Sequence, residues 1–135
     1  MTAGYSGTPL VKKLGIKPGD TIAILNPPEG YDQTLGDLPD TITHINDLSQ
    51  PLDFIHFFTK DRAEFEVEFL NLKTALKPAG MLWISWPKKA SKVLTDLDEN
   101  IIREIGLVNG LVDVKVAAID AVWSGLKFVY RLEDR

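Results

Sequence analysis

Lys88, Lys89 and Lys92, with Ser91 among them, follow directly on the apolar run Met81–Trp86. Lys60 and Arg62 stand in the same relation to a second run, Leu52–Phe58. Ammonium groups gathered in one loop suit a phosphate or a carboxylate, and a serine hydroxyl adds a donor. A plain solvated loop has the same composition, and Asp96 and Asp98 close by weigh against an added anion. The turn Asn26-Pro27-Pro28-Glu29-Gly30-Tyr31 is the other candidate, an amide, a carboxylate and a phenol around two prolines that stiffen the backbone. Its Glu29 would repel a phosphate unless it reads a sugar hydroxyl or an amine. His44 and His56 have no partner at metal-ligand spacing. His56, inside Phe54-Ile55-His56-Phe57-Phe58, reads as a hydrogen-bonded core residue in preference to a base. Ser6, Ser85, Ser91 and Ser124 lack a nucleophile elbow. Tyr5, Trp86 and Trp123 read as core or lid residues, with an aromatic wall beside a cleft as the alternative.

These side chains need elements to hold them. Leu52–Phe58 is almost unbroken in its apolarity, as expected of a strand covered on both faces. Asp61 then reads as a helix cap, with Glu64 reaching back, and Phe65, Phe69, Leu72 and Leu76 recur at helical spacing. Pro78 and Gly80 end that helix, and Met81–Trp86 is the next strand. Strand, helix and strand at this spacing make a right-handed crossover between parallel strands. Before this unit come a short helix capped at Thr8-Pro9 and closed by Gly15, a strand Thr21–Leu25, a weak helix within Tyr31–Leu38 and a strand Thr41–Ile45. After it come a helix capped in Thr95-Asp96-Leu97-Asp98, a strand Leu111–Ile119 and an antiparallel return over Leu126–Leu132. The expected order places Leu52–Phe58 between Thr21–Leu25 and Met81–Trp86, with Thr41–Ile45 outside.

The chain of 135 residues is 44% apolar and 25% charged, which describes one globular domain able to bury about two-thirds of its unfolded surface. A net charge of −4 gives no global field for nucleic acid or an acidic membrane, so neither is an expected partner. Cysteine is absent, which excludes disulfides and thiolate chemistry. Met1–Gly7 has neither the basic start nor the apolar centre of a signal peptide, and no apolar run approaches the ~20 residues of a membrane span. A cytoplasmic domain is expected.

The pattern is that of a doubly wound α/β sandwich, mostly parallel and Rossmann-like, with an antiparallel strand at the end. Leu14-Gly15-Ile16-Lys17-Pro18-Gly19-Asp20 and Leu76-Lys77-Pro78-Ala79-Gly80-Met81-Leu82, together with the closing strand pair, resemble the methyltransferase-like Rossmann fold. That resemblance implies S-adenosylmethionine at a glycine-rich turn after the first strand, and a ribose-binding carboxylate after the second, here Asp47. The turn in this chain carries two prolines instead. Asn26-Pro27-Pro28 with Tyr31 also resembles the Asn-Pro-Pro-aromatic motif of amino-group methyltransferases, although that family places the motif after its fourth strand and without the Glu29-Gly30 insertion. Gly4-Tyr5-Ser6-Gly7-Thr8-Pro9-Leu10, Trp86-Pro87-Lys88-Lys89-Ala90-Ser91 and Trp123-Ser124-Gly125-Leu126 resemble a family of small bacterial proteins known as a domain of unknown function, which implies no activity.

The reading that follows is a degenerate, non-catalytic domain binding a small anion or a nucleotide at the carboxyl edge. Lys88, Lys89, Ser91 and Lys92 would hold the anion, and Asn26, Glu29, Gly30, Tyr31, Asp47 and Trp86 would line the cleft. A methyltransferase with an atypical turn and a protein-interaction domain are the alternatives. No cofactor, metal or oligomeric state follows from the residues.

Overall fold

A strand with two apolar faces demands cover on both sides, and Leu52–Phe58 receives it. The computed structural model describes residues 8–135; the loop expected at residues 4–7, with Tyr5 and Ser6, lies outside the described residues. In chain order the elements are α1 (Leu10–Leu14), β1 (Thr21–Leu25), α2 (Tyr31–Leu35), β2 (Thr43–Ile45), β3 (Leu52–Phe58), α3 (Arg62–Ala75), β4 (Leu76–Pro87), α4 (Glu99–Val108), β5 (Leu111–Ala118) and β6 (Trp123–Tyr130). One six-stranded sheet has the order β2-β1-β3-β4-β6-β5. The first four strands of that order are parallel, and β6 runs antiparallel to both β4 and β5. β3 lies between β1 and β4 with β2 outside, the arrangement its apolarity required.

Alternate side chains of β3 enter two separate cores. Ile55 and Phe57 pack beneath α3 and α4 with Phe65, Phe69, Ile102 and Phe128. Phe54 and Phe58 pack on the opposite face with Leu14, Ile22, Tyr31 and Trp83. The Trp83 indole N–H donates to the Leu14 carbonyl at 2.9 Å and ties α1 to β4. Asp53 stays in this strand because its carboxylate accepts from the Thr21 N–H at 2.8 Å and pairs with Lys77 at 3.2 Å. Gly106 lets α4 close on the sheet, since a Cβ there would run into the Phe128 ring.

Several boundaries differ from those expected, each for a local reason. β4 begins at Leu76, before Pro78 and Gly80: Leu76 pairs with Leu52, and pairing resumes at Phe54 with Met81. Gly80 is needed in this irregular step because a Cβ would sit 3.0 Å from the carbonyl oxygens of Leu52 and Asp53. Asp61 does cap α3, accepting from the Glu64 N–H at 3.2 Å, but Glu64 does not reach back. It accepts the Thr59 hydroxyl at 2.6 Å, and that hydroxyl oxygen accepts from the Asp61 N–H instead. α4 starts at Glu99 with Asp98 as its cap, accepting from the Ile101 N–H at 2.9 Å. Thr41 has φ +64°, outside strand geometry, so β2 starts at Thr43. Pro9 holds the cap position of α1 in place of Thr8. β6 starts at Trp123, three residues early, because the Asp120 carboxylate tightens the preceding turn with bonds from the Val122 and Trp123 N–H groups, both 2.8 Å.

The edge strand β5 carries one extra residue. Asp113 lies opposite Phe128 and Lys115 opposite Lys127, leaving Val114 unmatched in a β-bulge. Asp113 therefore reaches Arg103 on the α4 face at 2.9 Å, whereas Lys115 reaches the Lys13 carbonyl of α1 at 3.2 Å.

Candidate functional site at the carboxyl edge

In an open α/β sheet the crevice lies where successive crossovers leave in opposite directions, here between the carboxyl ends of β1 and β3. That crevice is bridged. Asn26 has φ +56°, which turns its side chain so that the amide Nδ2 donates to the Phe58 carbonyl at 3.3 Å. Pro27 and Pro28 follow, offering no N–H, and the Tyr31 N–H is used on the Pro28 carbonyl at 3.2 Å. On the other side of β3 the Thr59 N–H donates to the Ser85 carbonyl at 3.0 Å.

Tyr31 does not line a cleft. It is 3% exposed, and its ring packs edge-on to both Phe58 and His56. Its Oη lies 2.6 Å from His56 Nδ1, and His56 Nε2 lies 2.7 Å from Ser85 Oγ. All three groups are buried. Burial lowers the His56 imidazole from its ordinary value to about 3, so the ring is neutral. Burial, with Asp32 as a second cause, raises the Tyr31 phenol above the ordinary tyrosine range. His56 is thus the hydrogen-bonded core histidine its context suggested. The relay has the composition of a nucleophile–base pair, but it is sealed from any substrate. Ser85 is the partner that the sequence did not disclose; its one visible signal is a polar residue within the run Trp83-Ile84-Ser85-Trp86.

Among the described residues, the side chains expected to share one cleft line two separate cavities. Asn26 and Asp47 line one of about 850 Å³ between the ends of β1 and β2 and the flank of α3. Its floor is Leu25, Phe57 and Ala75, and its walls carry Glu64 and Glu68 with no lysine or arginine. Hydrogen bonds from Ser49 hold the Asp47 carboxyl below its ordinary range. Glu29 and Gly30 are exposed in the turn, and neither lines this cavity.

Trp86, Lys88, Lys89 and Lys92 line the second cavity, about 700 Å³, past the end of β4. Ser91 is not on its wall. The Ser91 hydroxyl donates to the Lys88 carbonyl at 2.6 Å and accepts from the Val93 N–H at 3.2 Å, so it shapes the turn instead of offering a free donor. Lys60 borders an adjoining concavity with Leu94 and Asp96. Arg62 leaves the cluster, pairing with Glu66 at 3.5 Å. Asp96, Asp98 and Glu99 also line the second cavity, yet each has a partner. Asp96 accepts from the Arg62 N–H at 2.8 Å, Asp98 from the Ile101 N–H at 2.9 Å, and Glu99 pairs with Arg103 at 2.6 Å. Among the described residues, Lys88, Lys89 and Lys92 enter no ion pair. Nor do any three histidine, aspartate or glutamate side chains converge, among those residues, in a way that could hold a metal ion.

Comparison with solved structures gives this architecture a family of shapes. A methyltransferase from Aquifex aeolicus that depends on S-adenosylmethionine superimposes with a TM-score of 0.58 at 16% identity, covering 87% of this chain and 86% of that one. The fold is methyltransferase-like. Magnesium protoporphyrin IX methyltransferase from Synechocystis PCC 6803, with bound S-adenosylmethionine, matches at 0.58 and 13% identity over 90% of this chain and 74% of its own. The Methanococcus jannaschii fibrillarin pre-rRNA processing protein matches at 0.56 and 16% over 85% and 68%. Neither a family model nor a curated protein matches the sequence. At these identities the methyltransferase-like likeness concerns the fold alone. Among the described residues no helix is long and apolar enough to cross a membrane.

Proposed function

We propose that this methyltransferase-like domain is non-catalytic and binds a small anionic ligand in the cavity beside Lys88, Lys89 and Lys92. The observation that carries the reading is the imbalance of partners there: the three carboxylates on the wall are engaged, and among the described residues the three ammonium groups enter no ion pair. An anion entering the cavity gains attraction without breaking an existing ion pair. The non-catalytic half rests on the sealed Tyr31–His56–Ser85 relay and on the bridge from Asn26 to Phe58.

Replacing Lys88 and Lys89 together with alanine is expected to change thermal stability little, since substitutions at such surface positions usually stay within about ±0.5 kcal/mol. The same change should abolish stabilisation by inorganic phosphate or short carboxylates, which at a hundred times the dissociation constant would be worth about 2.7 kcal/mol. Earlier melting of the ligand-free variant by several degrees would make the lysines structural. A full anion response in the variant would put the site elsewhere.

An S-adenosylmethionine-dependent methyltransferase is the second reading, favoured by the common cavity of Asn26 and Asp47. The residues present do not fit that cofactor. Pro27 and Pro28 remove N–H donors where the methionyl group must approach, and among the described residues no lysine or arginine lines the cavity to meet its carboxylate. Calorimetric titration is expected to find weak or no S-adenosylmethionine binding; a dissociation constant at or below the low micromolar range would overturn this.

A further inference from the structure

We propose that the outer face of α3 is the contact surface for a second copy of this chain, packed antiparallel across a two-fold axis. The helix is apolar on two sides. Phe65, Phe69 and Leu72 are buried in the core, the single stripe that a surface helix ordinarily carries. On the outside Ala63, Val67, Leu70 and Thr74 are all exposed, and their steps of four, three and four residues make a second stripe with the spacing of a two-helix seam. Val67 is 73% exposed and Leu70 60%. None of the four lines the lysine cavity, so this surface is independent of the anion site.

Symmetry and charge select a second copy as the occupant. Reversed about a point between Glu68 and Phe69, the stripe matches itself: Val67 falls opposite Leu70, and Ala63 opposite Thr74. Glu64, Glu66 and Glu68 stand in the first half of the helix and Lys73 in the second. Two parallel copies would set each glutamate against itself, whereas antiparallel copies avoid this and also oppose their helix dipoles. A two-fold axis across the seam brings like flanks together. On the flank toward α4, Glu66 lines a groove of about 380 Å³, and Lys73 reaches the Asn109 carbonyl at 2.7 Å. Reversal therefore brings Glu66 of each copy toward Lys73 of the other. Glu66 pairs with Arg62 at 3.5 Å, and a carboxylate that is half exposed accepts a second cation. Arg62 and Glu104 share the groove with opposite charges. On the other flank Glu64 and Asn71 line the cavity beside β1 and β2, so a carboxylate meets an amide.

Sedimentation of the purified protein from low micromolar to submillimolar concentration is expected to show a reversible monomer–dimer equilibrium. It should stop at the dimer, because a two-fold contact closes on itself. Val67→Ser with Leu70→Ser, both at exposed positions, should leave the melting temperature nearly unchanged and hold the protein monomeric throughout. Glu66→Lys alone and Lys73→Glu alone should each weaken dimerisation about tenfold, since two surface pairs turn repulsive in every dimer. An equimolar mixture of those two variants should associate as tightly as the unaltered protein, because each altered charge then faces its complement. The serine variant tests the same face without touching Lys73, whose bond to Asn109 is given up in Lys73→Glu. A monomer at every concentration, a dimer that survives both serines, or growth beyond the dimer would overturn the proposal. A mixture that associates no more tightly than its components would overturn it too, since the antiparallel register requires the rescue.

Discussion

Replacing His56 with alanine is expected to destabilise the fold by about 4 kcal/mol. The imidazole satisfies two hydroxyls at once, Tyr31 Oη at 2.6 Å and Ser85 Oγ at 2.7 Å, in a region without solvent. Truncation strands both, each at roughly 1–3 kcal/mol. It also opens a hole beside Phe58, whose ring stacks on His56 with centroids 4.0 Å apart. Removing every polar member should be far milder: Tyr31→Phe, His56→Leu and Ser85→Ala together leave no stranded group, and the three changes will not add. Urea unfolding of the two variants decides the matter. A loss below about 1 kcal/mol for the alanine variant would mean that Tyr31 and Ser85 find other partners.

Mild acid should weaken the protein through the same residue. The His56 imidazole, lowered by burial to about 3, stays neutral in the folded state while the unfolded chain takes up a proton below pH ~6.5. Between those values the unfolded state binds more protons, so stability falls as pH falls. The contribution is complete above pH ~6.5 and is lost progressively toward pH 3, at up to about 1.4 kcal/mol for each pH unit. Roughly 2 kcal/mol should be gone by pH 5, before most carboxylates titrate. The variant with Tyr31→Phe, His56→Leu and Ser85→Ala keeps the other titrating groups and should show a much flatter profile from pH 7 to 5. An equal slope in both proteins would assign the acid response to other groups. At the alkaline end Tyr31 acts with the opposite sense: its phenol, raised by burial, keeps its proton while the unfolded chain loses one, so stability declines above pH ~10.

The strand order was legible because Leu52–Phe58 is apolar on both faces and only a central position accommodates that. The start of α3 was legible too, since Asp61 caps through a group three residues away. What escaped the sequence acts over longer separations. Tyr31, behind Pro-Pro-Glu-Gly, is equally a cleft wall or a core residue until His56 is known to wait 25 residues later with an open ring nitrogen. Asp96 looked like part of the cap of α4, but its carboxylate serves the first N–H of α3, 34 residues earlier. The Asn26 amide reaches the Phe58 carbonyl, and no local pattern announces a side chain that spans 32 residues. The lysines were placed correctly at the end of a strand. Their companion serine was not free, because a serine in a tight turn bonds its own backbone first.

The unmatched Val114 matters most for what the protein avoids. A straight β5 would present Val112, Val114 and Val116 as one flat row on an open sheet margin, a template for another chain to extend. The extra residue breaks that row and twists the strand, and it sends Asp113 and Lys115 to opposite faces so that no regular charge ladder forms along the margin. At the far margin β2 offers only three residues, too short a length to recruit a partner strand. Both margins of the sheet are therefore poor seeds for strand-by-strand polymerisation.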